Sequence, residues 1–142
     1  MKKRLMRDSS VLYLDANVFI FAALNTEDYG DKAEALLERI QQGGEKAVTS
    51  ALTFDETFWE VKRNRGLEKA LETGEAMLYF PNLNIIPADR EVVLSAIQII
   101  RMYNLAPRDA IHAATAIMEK VDFIVSTDRI FAKVKELKWK SL

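Results

Sequence analysis

The chain has 142 residues, of which 49% are apolar and 29% are charged, and its formal net charge is −1. This length predicts one domain, since a chain of this size can bury about 70% of its unfolded surface without covalent staples. The near-neutral charge excludes a uniformly basic surface that would coat nucleic acid, but not a local basic groove beside an acidic site. The lack of cysteine and the single histidine exclude disulfides, thiol nucleophiles and the common zinc sites.

Apolar runs typical of strands covered on both faces alternate with amphipathic segments along the chain. In chain order we predict a strand at 11–14, helices at 18–24 and 31–41, a strand at 46–49, helices at 50–64 and 67–80, a strand at 83–86, helices at 90–103 and 107–120, a strand at 123–125 and a final short helix at 130–137. This alternation predicts an α/β fold with a central parallel sheet covered by helices.

The N-terminal part combines basic residues at 2–4 with an apolar run at 11–24, an outline shared with secretory signal peptides. Asp15 and Asn17 interrupt that run, and a membrane span needs about 20 apolar residues. We therefore expect a buried strand and a helix, no association with membranes, and a cytoplasmic protein. We divide the chain into a basic arm at 1–10 and a single domain at 11–142.

Two acidic residues follow predicted strands. Asp15 comes directly after the strand at 11–14, and Asp128 ends the segment Ser126-Thr127-Asp128 after the strand at 123–125. Ligands bind beyond the carboxyl ends of parallel strands, so both carboxylates are candidates for a functional site. Each also has an ordinary alternative, since an aspartate at these positions can cap the following helix.

Two further acids lie early in predicted helices. Asp109 is in the first turn of the helix opened by Pro107, where the helix dipole alone would favour it. Glu56 is spaced from Thr53 as in a capping box, unless the helix already begins at Ser50. Four carboxylates gathered at one sheet edge would repel each other by a few kcal/mol per close pair, on the order expected at intermediate dielectric. Oxygen ligands would then select Mg²⁺ or Mn²⁺ to relieve that repulsion.

The chain resembles the PIN-domain nucleases, and especially their small toxin-like members of the VapC type. The matching stretches, in the family's order, are YLDANVFI (13–20), TSALTFDETFWEV (49–61), LAPRDAIHAATA (105–116) and DFIVSTDRIF (122–131). The resemblance implies a Rossmann-like, three-layer PIN-domain fold and metal-dependent hydrolysis of RNA. It also implies a homodimer and a small antitoxin as partner.

By position, the resemblance implies that the catalytic, metal-binding acids are Asp15, Glu56, Asp109 and Asp128. Asn17 and Ser126 match positions that support the site, and Glu56 could orient the attacking water. Two departures from the family pattern are visible: Ala16 stands where threonine is frequent, and ten residues precede the first strand. That basic arm could contact RNA or be disordered.

Other residues have two interpretations each. Candidate RNA contacts are Arg108, Lys62, Arg63 and Arg65, although the last three also suit the dipole of a helix C-terminus. His112 shares a helix face with Asp109, and a structural hydrogen-bonding role is favoured over that of ligand or base. Phe58 and Trp59 are expected in the core or at a subunit contact rather than stacked on bases. Asp122 starts a strand and is expected to be structural.

Three competing functions stay open at this point. A PIN nuclease of RNA maturation or decay would need no antitoxin, and the sequence does not separate it from a toxin. A non-catalytic, Mg²⁺-binding module of the phosphoreceiver type would need an acceptor aspartate after a middle strand and a lysine after the last one. Here the strand at 46–49 ends at Thr49, and the last strand is followed by Ser126-Thr127-Asp128. A catalytically idle RNA-binding protein would keep its behaviour when Asp15 is removed.

Overall fold

The fold is a five-stranded, fully parallel sheet with helices on both faces, which confirms the predicted parallel α/β class, although the sequence predicts only four of the five strands. It is taken from a computed structural model that describes residues 10–142, so the predicted basic arm, apart from Ser10, lies outside the described residues. The strands, in the spatial order β3-β2-β1-β4-β5, are β1 (Val11–Leu14), β2 (Lys46–Ser50), β3 (Leu83–Ile86), β4 (Phe123–Val125) and β5 (Trp139–Lys140). The helices are α1 (Ala16–Leu24), α2 (Tyr29–Gln41), α3 (Ala51–Arg65), α4 (Leu67–Leu78), α5 (Arg90–Tyr103) and α6 (Pro107–Met118).

The central strand β1 divides the core into two layers. Successive side chains of a strand point to opposite faces. Leu12 and Leu14 therefore pack with α1 and α2 in one apolar cluster. Tyr13 points to the other face, where it packs with α5 and α6. This alternation places a tyrosine hydroxyl in the layer next to the single histidine of the chain.

Two helix starts next to the sheet are fixed by polar side chains at the ends of strands. Asp15 caps α1 by accepting from the backbone N–H of Ala16, at 2.8 Å. Ser50 caps α3 by accepting from the N–H of Leu52, at 3.0 Å. Glu56 therefore lies inside α3 rather than in a capping box with Thr53, and it is free to face the end of the sheet.

The C-terminal segment differs from the prediction. The predicted helix at 130–137 is a 3₁₀ helix, Arg129–Lys133, followed by the unpredicted strand β5, which pairs with β4. A two-residue strand leaves no alternation to detect, and the apolar residues that precede it suit a helix equally well. Trp139 holds the strand in place by packing against the core and donating its indole N–H to the carbonyl of Ser126, at 2.9 Å.

Asp122 lies at the amino edge of the sheet and has the structural role predicted for it. Its carboxylate accepts from the backbone N–H of Val11 at 2.7 Å, which ties the starts of β1 and β4 together.

Within residues 10–142, no helix combines the length and apolar character needed to cross a bilayer.

Candidate active site

A cavity of about 450 Å³ opens at the carboxyl edge of the sheet. The four predicted acids all contribute to its lining: Asp15, Glu56, Asp109 and Asp128. They come from the end of β1, the second turn of α3, the first turn of α6 and the loop after β4. Segments far apart in sequence thus bring four carboxylates together, as expected for the working edge of a parallel sheet.

The carboxylate of Asp15 is held from several sides. Its side chain is almost fully buried. One oxygen accepts from the N–H of Ala16, and the other accepts from the hydroxyl of Ser126 at 2.7 Å and the amide of Asn17 at 3.2 Å. The two residues predicted to support the site therefore contact its central acid directly.

Ser126 also fixes the loop that carries Asp128. Its hydroxyl oxygen, which is fully buried, accepts from the N–H of Asp128 at 2.9 Å and from the amide of Asn17 at 3.1 Å. Asp128 in turn caps the 3₁₀ helix by accepting from the N–H of Ile130 at 3.0 Å. The capping alternative considered for Asp15 and Asp128 is therefore correct for both, and both nevertheless line the cavity.

His112 lies beneath the carboxylates. Its Nε2 is 2.6 Å from an oxygen of Glu56 and 3.5 Å from an oxygen of Asp15. Its Nδ1 is 2.5 Å from the hydroxyl of Tyr13. The expected hydrogen bonding of this histidine is present. Sequence reasoning missed Tyr13 as its partner, although a tyrosine in an otherwise aliphatic buried strand was a usable signal, because a buried hydroxyl needs a partner.

Burial and the mutual repulsion of the carboxylates shift the pKa values of several groups in and beneath the cavity. Burial, followed by the carboxylates of Asp128 and Asp15, raises the pKa of Asp109. Burial also raises the pKa of Asp15, against the opposing effect of His112. Burial disfavours the charged ring of His112, yet Glu56 and Asp15 outweigh it and raise the pKa of His112 above 6.5. A cation in the cavity would favour the ionised forms of Asp15 and Asp109 and would disfavour the charged ring of His112.

The raised pKa of Asp109 leads to a stability prediction. Because ionisation of this carboxyl is disfavoured in the folded chain, the free energy of unfolding falls as the pH rises through its pKa. In EDTA near pH 7.5, Asp109→Asn should be more stable than the wild type by up to about 1 kcal/mol, since partly solvated charges interact on that scale. The favourable helix dipole, about 0.5 kcal/mol, offsets part of the gain.

Urea unfolding at about pH 5 and about pH 7.5 measures this difference, which should shrink at the lower pH. Asp31→Asn is the matched control: Asp31 is an exposed acid in the first turn of α2, so it should lose about 0.5 kcal/mol of dipole stabilisation. An Asp109→Asn variant that loses stability as the control does would contradict the prediction.

The predicted basic contacts are divided between two places. Arg108 is exposed and lines the cavity. The lining described for residues 10–142 does not include the three basic residues at the end of α3. Arg63 pairs with Glu60 at 2.7 Å, and Arg65 donates to the carbonyl of Leu24 at 2.6 Å. An RNA contact by Lys62, Arg63 or Arg65 stays a prediction.

Trp59 is not in the core of this chain, contrary to one of its two predicted locations. Its side chain is 62% exposed and lines the acidic cavity, because α3 places it one turn beyond Glu56. Phe58 is half-buried, and the Phe54 ring lies 5.4 Å from its own. A subunit contact by either Phe58 or Trp59 stays a prediction.

The fold and the cavity together define a class: an α/β protein with carboxylates gathered at the carboxyl edge of a parallel sheet. Comparison with known families places it more closely. The chain belongs to the PIN domain family, whose model matches residues 12–137. No curated protein matches the sequence significantly.

Several solved structures share the fold at low sequence identity. VapC20 of Mycobacterium tuberculosis, described as a Sarcin-Ricin loop cleaving toxin, has a TM-score of 0.75 at 12% identity over 87% of this chain and 95% of that chain. The DNA-bound VapBC of Salmonella typhimurium has a TM-score of 0.70 at 17% identity, with coverages of 93% and 98%. FitAcB of Neisseria gonorrhoeae has a TM-score of 0.66 at 22% identity, with coverages of 90% and 95%.

Proposed function

We propose that this chain is a metal-dependent endoribonuclease and the toxin of a VapBC-type toxin–antitoxin pair. The observation that carries the proposal is the convergence of four carboxylates in one cavity of a PIN domain. The similar structures support it, since one is described as a Sarcin-Ricin loop cleaving toxin and another as a DNA-bound VapBC. We further propose a homodimer that acts in the cytoplasm and binds a small antitoxin.

The residues of the cavity suit a hard divalent cation. The donors are carboxylate oxygens, which Mg²⁺ and Mn²⁺ prefer. The pKa of Asp109 is raised first by burial and then by neighbouring carboxylates, and a bound cation would offset both effects, which supports the proposal. In this proposal Asp15, Asp109 and Asp128 hold the ion, and Glu56 completes the set directly or through water.

Each residue then has a defined task in hydrolysis of a phosphodiester bond. A bound Mg²⁺ or Mn²⁺ would polarise a phosphoryl oxygen and lower the pKa of a coordinated water. Asn17 and Ser126 keep the carboxylate of Asp15 in one orientation. Glu56 orients the attacking water. Arg108, exposed at the cavity rim, binds a backbone phosphate of the RNA.

Metal removal tests this function. We expect the purified protein to cleave RNA with Mg²⁺ or Mn²⁺. The cleavage rate should fall by a factor of at least about 10² in EDTA and should recover when metal is added again. The measurement is the appearance of new ends in a labelled RNA. Cleavage that persists unchanged in EDTA would contradict the metal-dependent mechanism.

A further inference from the structure

A chain of polar contacts runs under the cavity through the core. The backbone N–H of Ser50 donates to the hydroxyl of Tyr13 at 3.2 Å. That hydroxyl contacts Nδ1 of His112, and Nε2 of His112 contacts Glu56. Tyr13 and His112 are 0% and 1% exposed, so the contact between their side chains is closed to water. Buried polar groups linked in this way hold each other in fixed orientations.

Which atom donates each hydrogen bond in this series of contacts can be deduced from its partner. The N–H of Ser50 can only donate, so the oxygen of Tyr13 accepts there and its proton is available to Nδ1 of His112. The ring therefore has a proton on Nε2 in this neutral form, and also when it is charged, and Nε2 points at the oxygen of Glu56. The tyrosine thus selects the form of the histidine that donates to the carboxylate.

We infer that His112, oriented by Tyr13, is a positioning residue that fixes the carboxylate of Glu56 for binding a divalent cation in the cavity. One oxygen of Glu56 is bonded to the ring, and in this inference the other oxygen would be available to the ion or its water. The inference rests on the proposed function, because it assigns His112 a role in that same site. Partners behind metal-binding side chains are known to tune metal affinity in this way.

The alternative role of His112 is that of a metal ligand. Donor atoms of Asp15, Glu56 and His112 all lie within 4.8 Å of one another, which would permit a shared ion. Burial favours the positioning role: the side chain of His112 is 1% exposed, against 11% for Asp15 and 19% for Glu56. The ring therefore lies deeper than the carboxylates, and its Nε2 is already bonded to one of them.

Four variants separate these roles. His112→Leu removes the donor, and Tyr13→Phe removes only the hydroxyl that orients the ring. His112→Gln restores an N–H near the position of Nε2. Tyr103→Phe is the matched control, since Tyr103 bonds to Glu136 on the exposed surface. The measured quantities are the Kd of Mg²⁺ and of Mn²⁺ by calorimetry, with circular dichroism to report folding.

We expect His112→Leu to weaken the binding of both ions by a similar factor of about 10–100, and Tyr13→Phe by about tenfold. His112→Gln should stay within about threefold of the wild type, and Tyr103→Phe should match it. If His112→Leu does not fold, the deletion of one oxygen in Tyr13→Phe decides the question.

Three results have distinct meanings. Unchanged Kd values in all folded variants, with only their thermal stability lowered, would overturn the inference. A selective loss of Mn²⁺ binding in His112→Gln would also overturn it, because a nitrogen ligand matters more to Mn²⁺ than to Mg²⁺. Metal binding without RNA cleavage in the wild type, together with weak binding in His112→Leu and nearly wild-type binding in His112→Gln, would support the positioning role while refuting the proposed ribonuclease.

Discussion

Asp15→Asn should lower the rate of RNA cleavage by at least about 10²-fold, since a metal ion supplies several kcal/mol of transition-state stabilisation and each 1.4 kcal/mol is about tenfold in rate. Asp15 is nearly buried at the centre of the acidic cavity, and its orientation is fixed by Asn17 and Ser126. The variant keeps the shape of the side chain while removing its charge. The fold should survive, because burial already disfavours ionised Asp15 and raises its pKa.

Asp55→Asn is the matched control for this variant. Asp55 lines the same cavity on α3, but its side chain is exposed and belongs to none of the predicted site positions. We expect its cleavage rate to stay within about threefold of the wild-type rate, because an exposed surface charge interacts only weakly with its neighbours. Purifying the two variants in parallel also tests for a contaminating ribonuclease, because a contaminant would cleave RNA in both preparations. Equal cleavage by wild type and Asp15→Asn would refute the catalytic assignment.

Trp139→Ala should destabilise the fold by about 2–3 kcal/mol, somewhat less than a fully buried tryptophan would. The indole packs against the core, donates to the carbonyl of Ser126, and lies under the guanidinium of Arg129 at 5.3 Å. Its removal leaves a cavity, frees β5 and loosens the loop that carries Asp128. Thermal unfolding should show a decrease in Tm of roughly 5–12 °C.

Trp59→Ala provides the comparison for that measurement, because the chain has two tryptophans in opposite environments. Trp59 is 62% exposed, so its truncation should change the free energy of unfolding by less than about 0.5 kcal/mol. Similar losses of stability in the two variants would show that β5 is not a structural element of the domain. A large loss for Trp139→Ala alone would establish that it is.

The sequence was sufficient for the features that short segments encode by themselves. The apolar run that forms β1 and the capping position of Asp15 are local, since both depend on neighbouring residues in one short segment. Pro107 fixes the start of α6, and with it the first-turn position of Asp109. Because the carboxyl ends of parallel strands and the helices that follow them share one edge, these local features predicted the acidic cavity.

Only the tertiary structure decided the features that depend on contacts between distant segments. β5 has two residues and exists because β4 pairs with it and the core accepts Trp139, neither of which leaves a periodic signal. Tyr13 and His112 are 99 positions apart in the chain, and their contact follows from the way α6 packs on β1. The exposure of Trp59 likewise depends on what covers α3. The hydrophobic pattern indicates which face of an element is apolar, whereas tertiary packing decides what covers that face.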